Sequence, residues 1–290
     1  MFGYNRSMKL IPLENKSALN PVKGLFPYRW DLNIYRGCGH GCKYCFALYT
    51  HDYLDPDGKF FDAVYYKKNI LACLEEELKK NKNKGEIINI GGVTDSYQPG
   101  EAKLKLMPDV LKLMIKYKNP IIISTKNILI LRDIELIKEL SELVNVNIAM
   151  TITCMDEDIR KELEPGTSPS LSRFKALKRI KEETKATIGV HFMPIIPYVT
   201  DNYHNLKAIY QLSAKIKADY VLPGTLNLRG KTRGVFLGWL EEYDKERYDK
   251  FTNLYKNKDA YKEYKKGLYQ VIHKLRDEYN LDWDYKKGIR

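Results

Sequence analysis

Apolar positions along the chain fall into two repeating patterns. Short β-rich runs recur at DLNIYRG (31–37), EIINIGG (86–92), PIIISTK (120–126), VNIAMTIT (146–153), ATIGVHFMPI (186–195) and YVLPGTL (220–226). Most lack polar alternation, as parallel strands covered on both faces do. Between them lie stretches with apolar residues at helical spacing: ILACLEEELKK, MPDVLKLMIKY, LRDIELIKELSELV, SLSRFKALKRIKEET and NLKAIYQLSAKIK. Leu129, Ile130, Ile134, Ile137 and Leu140 form one such inward stripe. Six alternations predict an α/β fold, a (β/α)6 wheel built as an open sheet or a partial TIM-like barrel. Residues 1–30 read as an N-terminal extension, 31–230 as the core barrel and 231–290 as a C-terminal helical extension. Within the last, the Tyr-, Lys- and Glu-rich stretch 239–290 looks like two appended helices.

In such wheels the residues that follow the strands share one face, where sites are built. That rule selects Gly91, Gly92, Val93, Thr94 and Asp95 after the second strand, Ser124, Thr125 and Lys126 after the third, and Thr151 and Thr153 at the end of the fourth. The segment Pro194 to Pro197 follows the fifth. The first strand runs into YRGCGHGCKYCFA (35–47), so its cysteines share this face.

Composition narrows the classes. A chain of 290 residues is compatible with a single domain. No apolar run approaches the ~20 residues of a membrane span. The N-terminus MFGYNRSMKLIPLENK has no apolar segment leading to a cleavage site, so a cytoplasmic location is expected. The net charge of +12 suggests nucleic acid as a partner, although lysines in KKNKNK and YKNKDAYKEYKK equally suit solvated helix surface.

Of five cysteines, Cys38, Cys42 and Cys45 fall within eight positions. Cys73 and Cys154 stand alone and read as small apolar residues. Clustered thiolates suit zinc or an iron-sulfur cluster. Zinc requires a fourth ligand, for which His40 and His51 are the candidates. A cubane cluster held by three cysteines keeps one iron open to a small molecule, and the loop's position at the mouth of the wheel favours this reading.

CxxxCxxC followed by an aromatic, with Gly-Gly after the second strand, resembles the radical S-adenosylmethionine superfamily. GGVTDSYQPGE (91–101), STKNILILRD (124–133), ELEPGTSPSLSRFKAL (162–177) and MPIIPYVTD (193–201) resemble its spore-photoproduct-lyase-like branch, often labelled DNA repair photolyases. The resemblance covers about residues 20–230. It implies a 4Fe-4S cluster on Cys38, Cys42 and Cys45, with Phe46 shielding it, and S-adenosylmethionine bound at the open iron. Gly91 and Gly92 would meet the methionine amine. Lys126 and Arg173 would serve its carboxylate and the ribose, and Thr151 and Thr153 would donate hydroxyl hydrogen bonds. Asp95 would cap its loop or face substrate. A small electron donor of the flavodoxin or ferredoxin type is the implied partner, and the substrate is a nucleic acid or, alternatively, a peptide or small metabolite. One departure stands out. Where spore photoproduct lyase has its hydrogen-returning cysteine, this chain has Gly92, Val93 and Thr94. Tyr97 and Cys154 are then the candidate donors.

Overall fold

In a computed structural model of the chain, the described residues are 8–24, 26–53, 61 and 63–283. The strands are β1 (Lys9–Leu13), β2 (Leu19–Pro21), β3 (Trp30–Leu32), β4 (Tyr35–Arg36), β5 (Ala63–Lys67), β6 (Ile88–Ile90), β7 (Ile121–Thr125), β8 (Val146–Thr151), β9 (Thr187–Ile195) and β10 (Tyr220–Thr225). The helices are α1 (Ile70–Lys79), α2 (Glu101–Leu104), α3 (Leu106–Tyr117), α4 (Ile134–Leu143), α5 (Glu157–Leu163), α6 (Ser170–Glu183), α7 (Tyr203–Lys215), α8 (Lys231–Tyr243), α9 (Lys245–Lys256) and α10 (Lys258–Glu278). Two 3-10 segments, Phe46–Tyr53 and Ile128–Asp133, follow the cysteine loop and β7.

The main sheet has the order β10-β9-β8-β7-β6-β3-β2. Every pair in it is parallel except β2 with β3, and among the described residues β10 and β2 do not pair, so the sheet is open. The six parallel strands coincide with the six apolar runs. The first run divides: β3 stays in the main sheet, whereas β4 pairs antiparallel with β5 in a second sheet of order β1-β5-β4. The change of sheet falls at Asn33 and Ile34, where Asn33 Oδ1 accepts the Val93 N–H (3.0 Å) and the Ile34 carbonyl accepts the Lys67 N–H (3.2 Å). The stretch 239–283 holds the end of α8 and two further helices, α9 and α10, because Asp244 and Asn257 each turn the chain and cap the helix that follows. Beyond α10 the Asp282 carbonyl accepts the Val221 N–H at 2.7 Å, which covers part of the outer edge of β10.

Side chains on β8 separate by parity. Ile148 and Met150 join the large apolar core under the helices, together with Ile121, Ile123, Ile188 and Val190. The other face carries Asn147, Ala149 and Thr151, and Ser124 and His191 are on the matching faces of β7 and β9. Much of the lysine lies on outer helix faces in pairs such as Lys112–Asp109, Lys178–Glu182, Lys245–Glu241 and Lys250–Glu246.

Gly189 of β9 is fixed by packing. A Cβ there would stand 2.0 Å from the Tyr220 ring, which is fully buried. Gly189→Ala should therefore cost about 1–3 kcal/mol of stability through overpacking, measured by urea unfolding. Tyr220→Ala in the same chain should remove the alanine's added penalty; an equal penalty in both backgrounds would show that the ring is not the obstacle.

Candidate active site at the cysteine loop

The loop after β6, the end of α5 with the connection to α6, and the start of α8 hold the cysteine loop. The Gly37 carbonyl accepts the Thr94 hydroxyl (2.7 Å) and the Gln98 amide (3.2 Å), and the Gly39 N–H donates to Gln98 Oε1 (2.8 Å). On the other side Gly166 N–H donates to the His40 carbonyl (2.8 Å), and Lys43 N–H to the Leu163 carbonyl (2.9 Å). Thr232 at the start of α8 donates its hydroxyl to the Cys45 carbonyl at 2.7 Å. Gly166 permits this approach, since a Cβ there would come within 2.5 Å of the Gly39 carbonyl oxygen.

The thiols of Cys38, Cys42 and Cys45 are free, the first two buried. Burial pushes the Cys42 thiol well above its usual range, against the pull of the Lys126 ammonium. Burial and the neighbouring Cys38 push Cys45 up to about 11. Such thiols keep their protons unless a positive centre replaces them, as a soft metal does. Among the described residues no three His, Cys, Asp or Glu side chains converge on a point suited to a single metal ion. The side chain of His51 lies outside the described residues.

Two buried carboxylates organise the surroundings. Asp95 accepts the N–H of Tyr97 (2.9 Å), the Thr125 hydroxyl (2.8 Å) and the N–H of Lys126 (2.8 Å), and lies 3.3 Å from His40 Nδ1. Burial would raise its pKa, but His40 and the Lys126 groups hold it down at about 2. Asp95 therefore caps its loop and ties it to β7 and the cysteine loop. Glu164 accepts from Arg173 (2.6 Å), from the Thr153 hydroxyl (3.0 Å) and, through a short contact, from the Tyr44 hydroxyl. Burial again opposes ionisation, but Arg173 and Lys126 keep the Glu164 carboxyl at about 2.

The expected site residues divide between these arrangements. Lys126 stands beside the cysteines: its Nζ lies 5.9 Å from the Tyr44 ring centroid, and Cys42, Glu164, Asp95 and Cys45 overcome burial to raise its pKa. Arg173 is fully buried, donating to the Ser168 carbonyl (2.7 Å), the Thr151 carbonyl (2.7 Å), Glu164 and Thr167. Its guanidinium and the Thr153 hydroxyl are thus engaged within the protein. Gly91 has φ 91°, which favours glycine, and a Cβ on Gly92 would stand 2.5 Å from Asp31 Oδ2, so that carboxylate would have to move. Tyr97 is fully buried with its hydroxyl turned toward Asp133. Cys154 is buried, and burial pushes its thiol up to about 12. Phe46 does not shield the cysteines: the turn after Cys45 directs it outward, 62% exposed.

Sequence reasoning passed over Tyr44 and Glu164. The signal for Tyr44 was an aromatic inside the CxxC spacing, and for Glu164 a lone acid within the quoted EPGTS segment. Also missed was a polar chain inside the wheel. Ser124 Oγ lies 3.1 Å from His191 Nδ1, His191 Nε2 lies 3.3 Å from the Tyr220 hydroxyl, and that hydroxyl donates to Asn147 Oδ1 at 2.9 Å. Burial and Lys126 push His191 down to about 4, so it is neutral at pH 7. With the tyrosine proton committed to Asn147, Nε2–H donates to Tyr220 and Nδ1 accepts from Ser124.

The Glu164–Arg173 pair yields a stability prediction. Glu164→Gln leaves Arg173 buried without its counter-charge and should cost about 3–5 kcal/mol at pH 7. The folded pKa is about 2 against an ordinary 4.5, so this stabilisation is complete above 4.5 and is lost as pH falls through that interval. Urea midpoints of the parent and the variant should converge between pH 5 and 2; a gap that stays constant would exclude the pair as its source.

Comparisons with known proteins agree with this arrangement. A family model described as the Radical SAM superfamily matches residues 32–208. An uncharacterized protein of Mycobacterium tuberculosis is 33% identical over 278 residues, 93% of this chain and 81% of its own length. One of Methanocaldococcus jannaschii is 28% identical over 270 residues, covering 93% and 95%. Among solved structures, a spore photoproduct lyase variant superposes with a TM-score of 0.65 at 14% identity over 93% of this chain and 79% of that one. Another, with bound AdoMet and dinucleoside spore photoproduct, gives 0.60 at 13% identity over 79% and 66%. At these identities the structures speak to the fold alone, and the family match together with the cysteine loop at the strand ends shows that this chain belongs to the radical S-adenosylmethionine superfamily.

Proposed function

We propose that the protein is a radical S-adenosylmethionine enzyme that holds a 4Fe-4S cluster on Cys38, Cys42 and Cys45 and acts on a nucleic acid base or lesion. The observation that carries this reading is the grouping of the Cys38, Cys42 and Cys45 thiols on one loop with one ammonium, Lys126, on the strand-end face. The donor set fits the group: soft sulfur ligands, a fourth position left to a small molecule, and a cation nearby for its carboxylate. When bound, the cluster supplies the electron that splits S-adenosylmethionine into methionine and a 5′-deoxyadenosyl radical, which abstracts hydrogen.

The chain's own residues bind and orient. Lys126 offers its ammonium to the methionine carboxylate, since the nearby Glu164 is already paired with Arg173. Gly91 and Gly92 leave backbone within reach of the amine. Thr151 takes a hydroxyl role toward the cofactor, whereas Arg173 and Thr153 act indirectly by fixing Glu164 and, through it, Tyr44. Cys154 and Tyr97 are the candidate hydrogen-return donors, and burial keeps the S–H of the one and the O–H of the other intact. A flavodoxin- or ferredoxin-type carrier provides the electron. The nucleic-acid substrate is supported by the fold shared with spore photoproduct lyase, solved with a dinucleoside spore photoproduct.

Anaerobic reconstitution should load about four irons per chain, and Cys42→Ala should abolish both iron binding and 5′-deoxyadenosine formation. Stoichiometric zinc without iron would reject the reading in favour of a metal-stabilised binding module. Lys126→Ala should weaken S-adenosylmethionine binding by about 1–3 kcal/mol with iron content unchanged, read by calorimetry. Single-stranded or lesion-bearing oligonucleotide should raise 5′-deoxyadenosine formation above the uncoupled background, because a base inside an intact duplex must first be flipped out. A peptide or metabolite substrate replaces nucleic acid if no oligonucleotide does so.

A further inference from the structure

Tyr198, in the turn after β9, has φ 63°, inside the left-handed region. Every other non-glycine residue with positive φ among the described residues is lysine or asparagine. Asparagine takes that conformation readily, and a bulky ring does not. Hydrogen bonds close the turn and impose it: the Ile196 N–H donates to the Thr200 hydroxyl (2.8 Å), the Ile196 carbonyl accepts from the N–H of Val199 (3.1 Å) and of Thr200 (2.9 Å), and Asn205 Nδ2 donates to the Thr200 carbonyl (2.6 Å). Ile196 and Val199 are buried in the apolar cluster that holds Cys42 and Tyr44, whereas Tyr198 between them is 39% exposed. Strained residues held this firmly cluster at binding and catalytic sites.

Tyr198 also begins a row of rings that continues onto α10. Its centroid lies 6.5 Å from that of Tyr264, and Tyr264 lies 6.2 Å from Tyr261, stacked at 18°. Tyr264 donates its hydroxyl to Asp201 Oδ2 at 2.8 Å, which fixes the middle ring. Tyr261 and Tyr264 are half-buried, so the row keeps one side open to solvent. The Lys265 ammonium stands 6.0 Å from the Tyr261 centroid, and Lys262 beside it in sequence is exposed. Neither takes part in an ion pair among the described residues, unlike Lys250 and Lys266, which pair with Glu246 and Glu263.

We propose that Tyr198, Tyr264 and Tyr261, with Lys262 and Lys265, form the track of a single nucleic-acid strand, and that an unstacked base lies on the Tyr198 ring. The inference rests on the nucleic-acid reading above and gives it a binding surface. Chemistry selects the occupant: ring faces take bases of any sequence, unpaired ammonium groups beside them meet phosphates, and a net charge of +12 steers a polyanion to the protein. An acidic protein would answer the lysines but would leave the strained ring without a planar partner. A duplex keeps its bases stacked on one another, so the track takes single strands.

The test titrates the cluster-loaded protein with fluorescein-labelled single-stranded oligothymidylate and with its duplex, read by anisotropy, for the unaltered chain, Tyr198→Phe, Tyr198→Asn, and Lys262→Ala combined with Lys265→Ala. The proposal expects the single strand to bind more tightly than the duplex. Tyr198→Asn suits the left-handed turn without offering a ring, so it should lose about tenfold in single-strand affinity, the scale of one base–aromatic stack, at an unchanged urea midpoint. Tyr198→Phe keeps the ring and should bind as the unaltered chain does. The double lysine variant should lower the log–log salt slope by about 1.4, the value of two single-strand phosphate contacts. Equal affinity in the Asn variant overturns the proposal, as does an equal loss in the Phe variant. If the Asn variant unfolds at lower urea, the lysine variant decides, and an unchanged salt slope overturns the track. Polyglutamate that displaces the strand as readily as unlabelled oligothymidylate overturns the choice of occupant. An unaltered protein that binds no oligonucleotide overturns the nucleic-acid reading and this inference with it, whereas binding that no variant weakens overturns the track alone.

Discussion

Glu164 is a fully buried carboxylate, and the site is arranged around keeping it ionised there. An isolated carboxylate at that depth would take up a proton. Arg173 prevents this, and is itself held by the carbonyls of Ser168 and Thr151 and by Thr167, so the pair ties α6 and the loop before it to the end of β8. The second oxygen of Glu164 receives Thr153 and Tyr44, which carries the constraint into the cysteine loop. Asp95 does the same from the other side through Thr125, Lys126 and His40. The two carboxylates brace the loop that bears the thiols, and the Lys126 ammonium adds charge compensation between them.

This bracing leaves one cation beside the thiols and spends another on protein oxygens. Lys126 and Arg173 look alike in the sequence, each a cation among apolar residues. One ends a buried strand beside the thiols; the other sits within a helix and spends its donors on protein oxygens. Arginine suits the second place because its planar fork satisfies several acceptors at once, and lysine the first because a single mobile charge remains available.

The six parallel strands were readable because double burial makes them continuous apolar runs, as in β6 and β8, all of whose residues are buried. Helices were readable for a similar reason: Ile134, Ile137 and Leu140 line one buried face of α4. The break between β3 and β4 was not, since pairing with β5 is decided by residues some thirty positions away and leaves no local mark. The thiols, Lys126 and the double glycine were legible because strand-end geometry is fixed by the fold. The chain Ser124, His191, Tyr220 and Asn147 was not, because it is assembled from four strands and each residue alone looks like an ordinary strand member.

The Thr232 to Cys45 hydrogen bond joins residues 187 positions apart. Cys42 and Tyr44 also share an apolar cluster with Phe236, Trp239 and Phe251 of α8 and α9. During synthesis at about 5–20 residues per second, the cysteine loop therefore waits roughly 10–40 s for its last wall to emerge from the ribosome. In that interval the thiols lack part of the cover that later excludes solvent and oxidants. The late position of α8 in the chain makes the wall over the cysteine loop the last part of the site to form.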